Sequence, residues 1–337
     1  MQNWAIAVAA LVALAISACT SSTSTPEAVS GPTIDDACTQ LAKARCTRLD
    51  ECSKDALIPK NWTDAANCQA RQKLSCVQGQ RAANTGTTPQ RAIDCAMALT
   101  AATCTEILAT VPPTACQAAV GTEANGSACA FAGQCQSSYC AIPTRSNCGT
   151  CAPAPKVGAS CDVFANCGPA LKCDATTMQC ATPVALGGDC DAGRTCDSEM
   201  SCVGADATKS LAGKCQTSGA VVAAACEGAK LTLPACDSSL GLVCEQKACV
   251  AWTLVGDGEP CGTTATGVYS QCKSGGVCIK AVSTDKTGLC KVAVADGAAC
   301  DSDPTKGPPC LSPARCVAAS ATTTAGICTV PDAAVCK

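Results

Sequence analysis

GAACDSDPTKGPPCLSPARCVAASATTTAGIC, residues 297–328, holds four cysteines behind a Gly-x-x-Cys opening, with only Leu311, Val317 and Ile327 as branched apolar residues. Such a segment cannot close on a hydrophobic core, so cross-links must do that work. The same unit recurs upstream. It opens at Gly126-Ser-Ala-Cys129, Gly158-Ala-Ser-Cys161, Gly187-Gly-Asp-Cys190 and Gly258-Glu-Pro-Cys261, and a further copy starts at Cys226 without the Gly. A glycine at a fixed offset, repeated five times, marks an internal repeat. Asn125-Gly126, Asp257-Gly258 and Asp296-Gly297 are tight-turn dipeptides that supply positive φ. Residues 121–337 therefore divide into six units, about 121–155, 156–184, 185–219, 220–255, 256–294 and 295–337.

Each unit is expected to be a small irregular or short-β hairpin closed by two disulfides, the units strung like beads. The expected pairing is first-to-third and second-to-fourth. It gives Cys161–Cys173 with Cys167–Cys180, Cys190–Cys202 with Cys196–Cys215, Cys261–Cys278 with Cys272–Cys290, and Cys300–Cys316 with Cys310–Cys328. The fourth copy holds Cys226, Cys236, Cys244 and Cys249. The first copy reads as Cys129, Cys135, Cys140 and Cys148 with an extra Cys151, and the last carries an extra Cys336. These two extras either pair with each other or reshuffle the bonds of their own units.

Residues 34–120 follow a helical period instead. Cys38, Leu41, Ala42, Cys46, Leu49 and Cys52 share one broad stripe, with Arg45 as its exception, and Asp35 or Asp36 is placed to cap the start. Pro59 breaks the chain. A second helix, capped by Thr63, carries Cys68 and Cys76. A third opens at Thr88-Pro89, presents Ile93, Met97, Ala101, Cys104 and Leu108, and ends at Pro112-Pro113. A short loop makes the first two helices antiparallel, which requires partner numbers of near-constant sum. On that basis the expected bonds are Cys38–Cys95, Cys46–Cys76, Cys52–Cys68 and Cys104–Cys116, locking a helical bundle. The fold class expected overall is small and disulfide-rich, a helical bundle followed by cysteine repeats.

Composition agrees with that division. The 337 residues include 35 cysteines, seven aromatics and no histidine, and the net charge is −3. So many thiols imply an oxidising compartment. A cytosolic metal–thiolate protein is the competing reading, which the leader opposes. Without histidine the chain lacks the usual general base and the commonest metal ligand. Interspersed charge leaves no footprint for nucleic acid.

Residues 4–18, WAIAVAALVALAISA, form an uncharged apolar run of signal-peptide length. Ile16-Ser17-Ala18-Cys19 resembles the bacterial lipobox. That resemblance implies removal of residues 1–18, lipidation of Cys19, and membrane attachment through the lipid. Thr20 after the cysteine resembles cargo sent to the outer membrane. Met1-Gln2-Asn3 departs from the pattern in carrying no Lys or Arg. An ordinary secretory leader cut near Ala18 is the alternative. Residues 19–33 are the lipidated Cys and a Ser/Thr/Pro-rich tether.

The arrangement as a whole resembles cysteine-rich lipoproteins of myxobacteria and related predatory bacteria, in which a helical segment like Cys38 to Cys116 precedes Gly-x-x-Cys repeats. That class has no established function to carry over. Cys129-x5-Cys135-x4-Cys140 with Cys148-x2-Cys151 also resembles the N-terminal cysteine-rich region of Dickkopf proteins, over about thirty residues; no signalling role is transferred from it.

Candidate chemistry is sparse. Cys148-Gly-Thr-Cys151 has the spacing of a redox pair or half a zinc site, against structural disulfides. Asp301 and Asp303 offer oxygens to Ca²⁺, against solvated turn residues. Trp252 and Tyr269 are rare aromatics that suit a partner contact, against packing on a disulfide. No G-x-S-x-G elbow, phosphate loop or dinucleotide fingerprint occurs. The reading is a non-enzymatic structural, adhesive or binding module, without metal or cofactor, exported and anchored in the outer membrane, meeting an unknown protein or glycan. The alternatives are an inhibitor or effector acting on an external protein, and a thiol-redox protein using Cys148 and Cys151.

Overall fold

Thr33, not Asp35 or Asp36, starts the first helix. A computed structural model describes residues 31–337 apart from 110–111, 162–166, 168–170, 175–176, 192–193, 198–199, 207–208, 210, 228–231, 264–266, 283 and 321. The expected leader, Cys19 and most of the tether therefore lie outside the described residues. In α1 (Ile34–Ser53) the Thr33 hydroxyl accepts from Asp36 N at 3.1 Å, and both aspartates occupy the first turn, where their charge suits the helix dipole. Cys38, Ala42, Cys46 and Cys52 are buried, and Arg45 is exposed. Pro59 does not simply break the chain. It sits in the first turn of α2 (Leu57–Asn61), where a missing N–H leaves no bond unmade. α3 (Ala65–Arg81) is capped by Asp64, which accepts from Asn67 N at 2.7 Å, in place of Thr63.

The third expected helix divides. α4 (Pro89–Ala101) is capped by Thr88 as Pro89 requires, and buries Ala92, Cys95, Ala96 and Leu99, while Met97 is 59% exposed. The chain then turns at Ala102, and Thr103 with Glu106 builds a capping box that opens α5 (Cys104–Leu108). A local start signal thus overrides a stripe that ran on through Cys104.

Those shifts change all four expected bonds of this region. The structure has Cys38–Cys76, Cys46–Cys68, Cys52–Cys104 and Cys95–Cys116, in place of Cys38–Cys95, Cys46–Cys76, Cys52–Cys68 and Cys104–Cys116. The partner numbers of the two α1–α3 bonds do have a constant sum, but the constant fixes the antiparallel nest and not its innermost pair. α2 lies between the two helices and moves the register along, so Cys52 overshoots α3. The break at Ala102 then turns Cys104 to Cys52. It leaves Cys95 to the short 3-10 turn Thr114–Cys116.

In the repeats the chain follows one plan. The third and fourth cysteines face each other across an antiparallel hairpin in all six units: Cys140 and Cys151, Cys173 and Cys180, Cys202 and Cys215, Cys244 and Cys249, Cys278 and Cys290, Cys316 and Cys328. Directly opposed residues project to one face, and each sulfur there bonds to the incoming segment. The third cysteine takes the first, and the fourth takes the second, giving Cys129–Cys140 with Cys135–Cys151, Cys161–Cys173 with Cys167–Cys180, Cys190–Cys202 with Cys196–Cys215, Cys226–Cys244 with Cys236–Cys249, Cys261–Cys278 with Cys272–Cys290, and Cys300–Cys316 with Cys310–Cys328. The fourth member of the first unit is thus Cys151, so the extra cysteine is Cys148.

The recurring glycine explains the opening motif. Gly126, Gly158, Gly187, Gly258 and Gly297 have φ between 73° and 97°, and each N–H donates at 2.8 Å to the carbonyl of its unit's fourth cysteine. The amide of that cysteine donates back to the residue after the glycine. Ala223 fills the same place in the fourth unit at φ 67° and makes the same bond to Cys249 O. The unit is therefore specified by backbone geometry, and its interior is mostly cystine, as at Cys226, Cys236 and Cys249 with Leu242.

The units are not free beads. Pro32–Lys337 forms one compact unit. Arg71 of α3 donates to both carboxylate oxygens of Asp296, at 2.6 and 2.8 Å, and to the carbonyls of Leu311 and Ser312, each at 2.7 Å. Ser274 N and Gly275 N cap the carbonyls of Pro59 and Lys60 at the end of α2. Gln134 of the first unit donates to Ala83 O at 3.0 Å. The helical part thus holds the first, fifth and sixth units, and Cys148–Cys336 joins the first unit to the end of the chain across 188 residues.

Candidate binding site

Where the first and sixth units meet, the chain leaves a cavity of about 630 Å³. One wall is the segment after the hairpin strand Cys140–Ala141, from Ile142 to Ser146; the other is built from the sixth unit, with Asp301, Pro304, Pro309, Ala314 and Arg315. Tyr139 and Val277 complete it. Three features hold the walls in place. Cys148–Cys336 closes behind them. Asn147 is buried and donates from Nδ2 to Thr329 O at 3.0 Å. Arg145 donates to Thr323 O at 3.3 Å, and its own carbonyl accepts from Ala318 N. These contacts hold Arg145 at φ 73°, a left-handed conformation unfavourable for a residue with a Cβ.

Most of the lining is apolar, and its charged groups are Arg145, Arg315 and Asp301. The Asp301 carboxylate is partly committed, accepting from Asp303 N at 2.9 Å. Arg315 is not. Its side chain is half-buried, Nη1 is fully enclosed, and no oxygen among the described residues accepts from it. Among the described residues no ion pair joins Arg315 to Asp301. Burial pushes the Arg315 guanidinium below its ordinary value and the Tyr139 phenol above it, both because the charged form loses water. A buried donor without an acceptor is destabilising, and native folds seldom leave one.

The sequence-derived candidates fall elsewhere. Cys148 and Cys151 are bonded to different partners, Cys336 and Cys135, so they form neither a dithiol pair nor half a zinc site. Asp303 accepts from Thr305 N at 3.0 Å and Thr305 Oγ1 at 2.7 Å and pairs with Lys306 at 3.1 Å. Those contacts hold its carboxyl down at about 2 and satisfy Oδ1 within its own turn. Trp252 is half-buried, with Lys60 Nζ of α2 at 4.5 Å from its ring centroid. That cation–π contact ties the helical part to the fourth unit. Tyr269 lines a separate, more polar cavity of about 470 Å³ within the fifth unit, with Lys280, Asp285 and Lys286. None of these candidates except Asp301 reaches the larger cavity.

Arg145 and Arg315 were not singled out by motif. The one signal is indirect: an odd cysteine in the first and the last repeat, which the structure joins as Cys148–Cys336. No family model matches this chain, and no curated protein or solved structure matches it.

Proposed function

We propose that the chain is an exported, lipid-anchored binding module of the cell envelope, not an enzyme, and that it takes its ligand in the cavity between the first and sixth repeats. The observation that carries this is the half-buried Arg315 guanidinium, without an acceptor among the described residues, lining a mostly apolar cavity of about 630 Å³, within the usual range for ligand sites. Disulfides on both walls fix the lining before any ligand arrives, which lowers the ordering cost of binding. The leader and Cys19 support export and anchoring, and the Ser/Thr/Pro tether would hold the folded part away from the bilayer. A helical cysteine segment and six repeats make up that folded part. The absence of histidine, and of any nucleophile–base set in the sequence, supports a binding role.

Two measurements test this reading. Intact mass of the protein from its native host, with and without reduction and alkylation, should show loss of residues 1–18, acyl chains on Cys19 and no reactive thiol. An unacylated mature mass refutes the anchor. A panel of peptides, glycans and small organic acids is then offered to the native protein and to Thr144→Trp, which places a bulky ring at the exposed rim. Binding lost in the variant supports the cavity; binding unchanged by it refutes the cavity as the ligand site.

A further inference from the structure

We infer that the cavity at the closure of the repeats binds a monoanionic carboxylate carried on an apolar body, with Arg315 receiving the carboxylate. This deepens the binding reading above and rests on it. The argument starts from what the folded chain leaves unmade. Arg315 lines the cavity with a half-buried guanidinium that has no acceptor among the described residues; its Nη1 is enclosed by protein, so the N–H groups left for a ligand are those of Nε and Nη2. A guanidinium is a planar fork whose donors match the two oxygens of a carboxylate. The cavity beside it has room for a ligand, and Ile142, Pro143, Pro304 and Pro309 give it apolar surface to bury.

Charge selects among oxyanions. With two arginines and one aspartate, the lining has a formal charge of +1. One negative charge balances it. A dianion would stand against the Asp301 carboxylate in a partly dehydrated space, where like charges repel most. Phosphate monoesters are thereby disfavoured, and a small hydrated anion such as sulfate would leave the apolar walls uncovered. The carboxylate has two sources of the same chemistry, a free aliphatic acid or the C-terminus of an apolar peptide.

The oxidised full-length protein is titrated with octanoate and octanamide. It is also titrated with acetyl-Ala-Ala-Leu as free acid and as C-terminal amide, and with sulfate and phosphate. Calorimetry and backbone amide shifts report binding. At least one carboxylate should move the amides of Ala141–Ser146 and Ala314–Cys316, with its amide counterpart at least tenfold weaker. Whichever acid binds tighter identifies the source. Arg315→Gln should lose at least tenfold in affinity, Arg315→Lys should recover part of it, and Thr144→Trp should abolish it. Arg315→Met, free of ligand, should melt no lower than the native protein, because it removes a donor that had no partner.

Acid and amide bound equally well, both blocked by Thr144→Trp, would leave the binding module standing and overturn the carboxylate. Tighter binding of phosphate or sulfate would do the same. If no probe moves the cavity amides, both readings fall. A large loss of melting temperature in Arg315→Met would overturn the assignment by making Arg315 structural.

Discussion

Replacing Ala223 by glycine should stabilise the fourth repeat. Five of the six units place glycine at this turn with φ between 73° and 97°, whereas Ala223 holds φ 67° with a Cβ. An L-residue in the left-handed region lies about 1–2 kcal/mol above its right-handed conformation. Glycine returns about 0.4–1 kcal/mol of that by gaining freedom in the unfolded chain. The net gain expected for Ala223→Gly is about 0.5–1 kcal/mol. Gly258→Ala is the mirror experiment. A Cβ there would meet nothing within 4 Å, so its cost is purely conformational and should be of the same size. With every disulfide intact, global unfolding is a poor gauge of one turn, and hydrogen exchange of single amides is better. Cys249 N donates to Ala224 O at 2.8 Å, and Cys290 N to Glu259 O at 2.9 Å, so each reports its own turn. In Ala223→Gly the Cys249 amide should exchange about 2–5-fold more slowly, and in Gly258→Ala the Cys290 amide faster by a like factor. Unchanged or faster exchange at Cys249 in Ala223→Gly would refute the claim that backbone conformation specifies the unit.

Arg71→Ala removes four charge-assisted bonds from a side chain 12% exposed and should destabilise by about 2–3 kcal/mol, read from the denaturant midpoint. Arg71→Lys should recover less than half, since an ammonium cannot span both Asp296 oxygens and two carbonyls. Replacing Cys148 and Cys336 together by serine should lower stability by up to about 5 kcal/mol, the chain-entropy value for an effective loop of about 110 residues once the bonds within the repeats shorten the path. A midpoint equal to that of the native protein would show that the junction is held without the bond. Asp303 gives a pH signature. Its carboxyl is lowered from 3.8 to about 2, so its contribution is full above about pH 4 and lost as pH falls through about 2. The melting-temperature gap between the native protein and Asp303→Asn should hold from pH 7 to about 4 and close by about 2.

Local order was legible in the sequence and long-range order was not. Glycine offset and cysteine count are local signals, and the turn at Gly297 needs only its own dipeptide to be read. The helical start at Thr88-Pro89 is equally local. The bonds of α1 were misjudged for a different reason. Helical spacing shows that Cys38, Cys46 and Cys52 share a face, but not how far α3 slides along it, and the slide depends on α2, whose Pro59 looked like a simple break. The capping box at Thr103 and Glu106 lies within an apolar stripe that happens to continue through Cys104, so the stripe alone reads as one helix. The cavity was hidden because its walls are about 170 residues apart in the chain, and nothing local at Arg145 or Arg315 says that they meet.

The bond between Cys148 and Cys336 also sets an order of assembly. Every other disulfide of the repeats spans 11 to 19 residues and can close soon after its own unit has been synthesised. Cys148 must wait for Cys336, which follows all the other paired cysteines. Until then its thiol stays unspent in the same unit as the Cys129–Cys140 and Cys135–Cys151 disulfides, the kind of bond a thiolate attacks. The thiol of Cys148 is thus a timer. Its disappearance marks a chain made to residue 336, and a truncated product betrays itself by one reactive sulfur at a site where the finished protein has none.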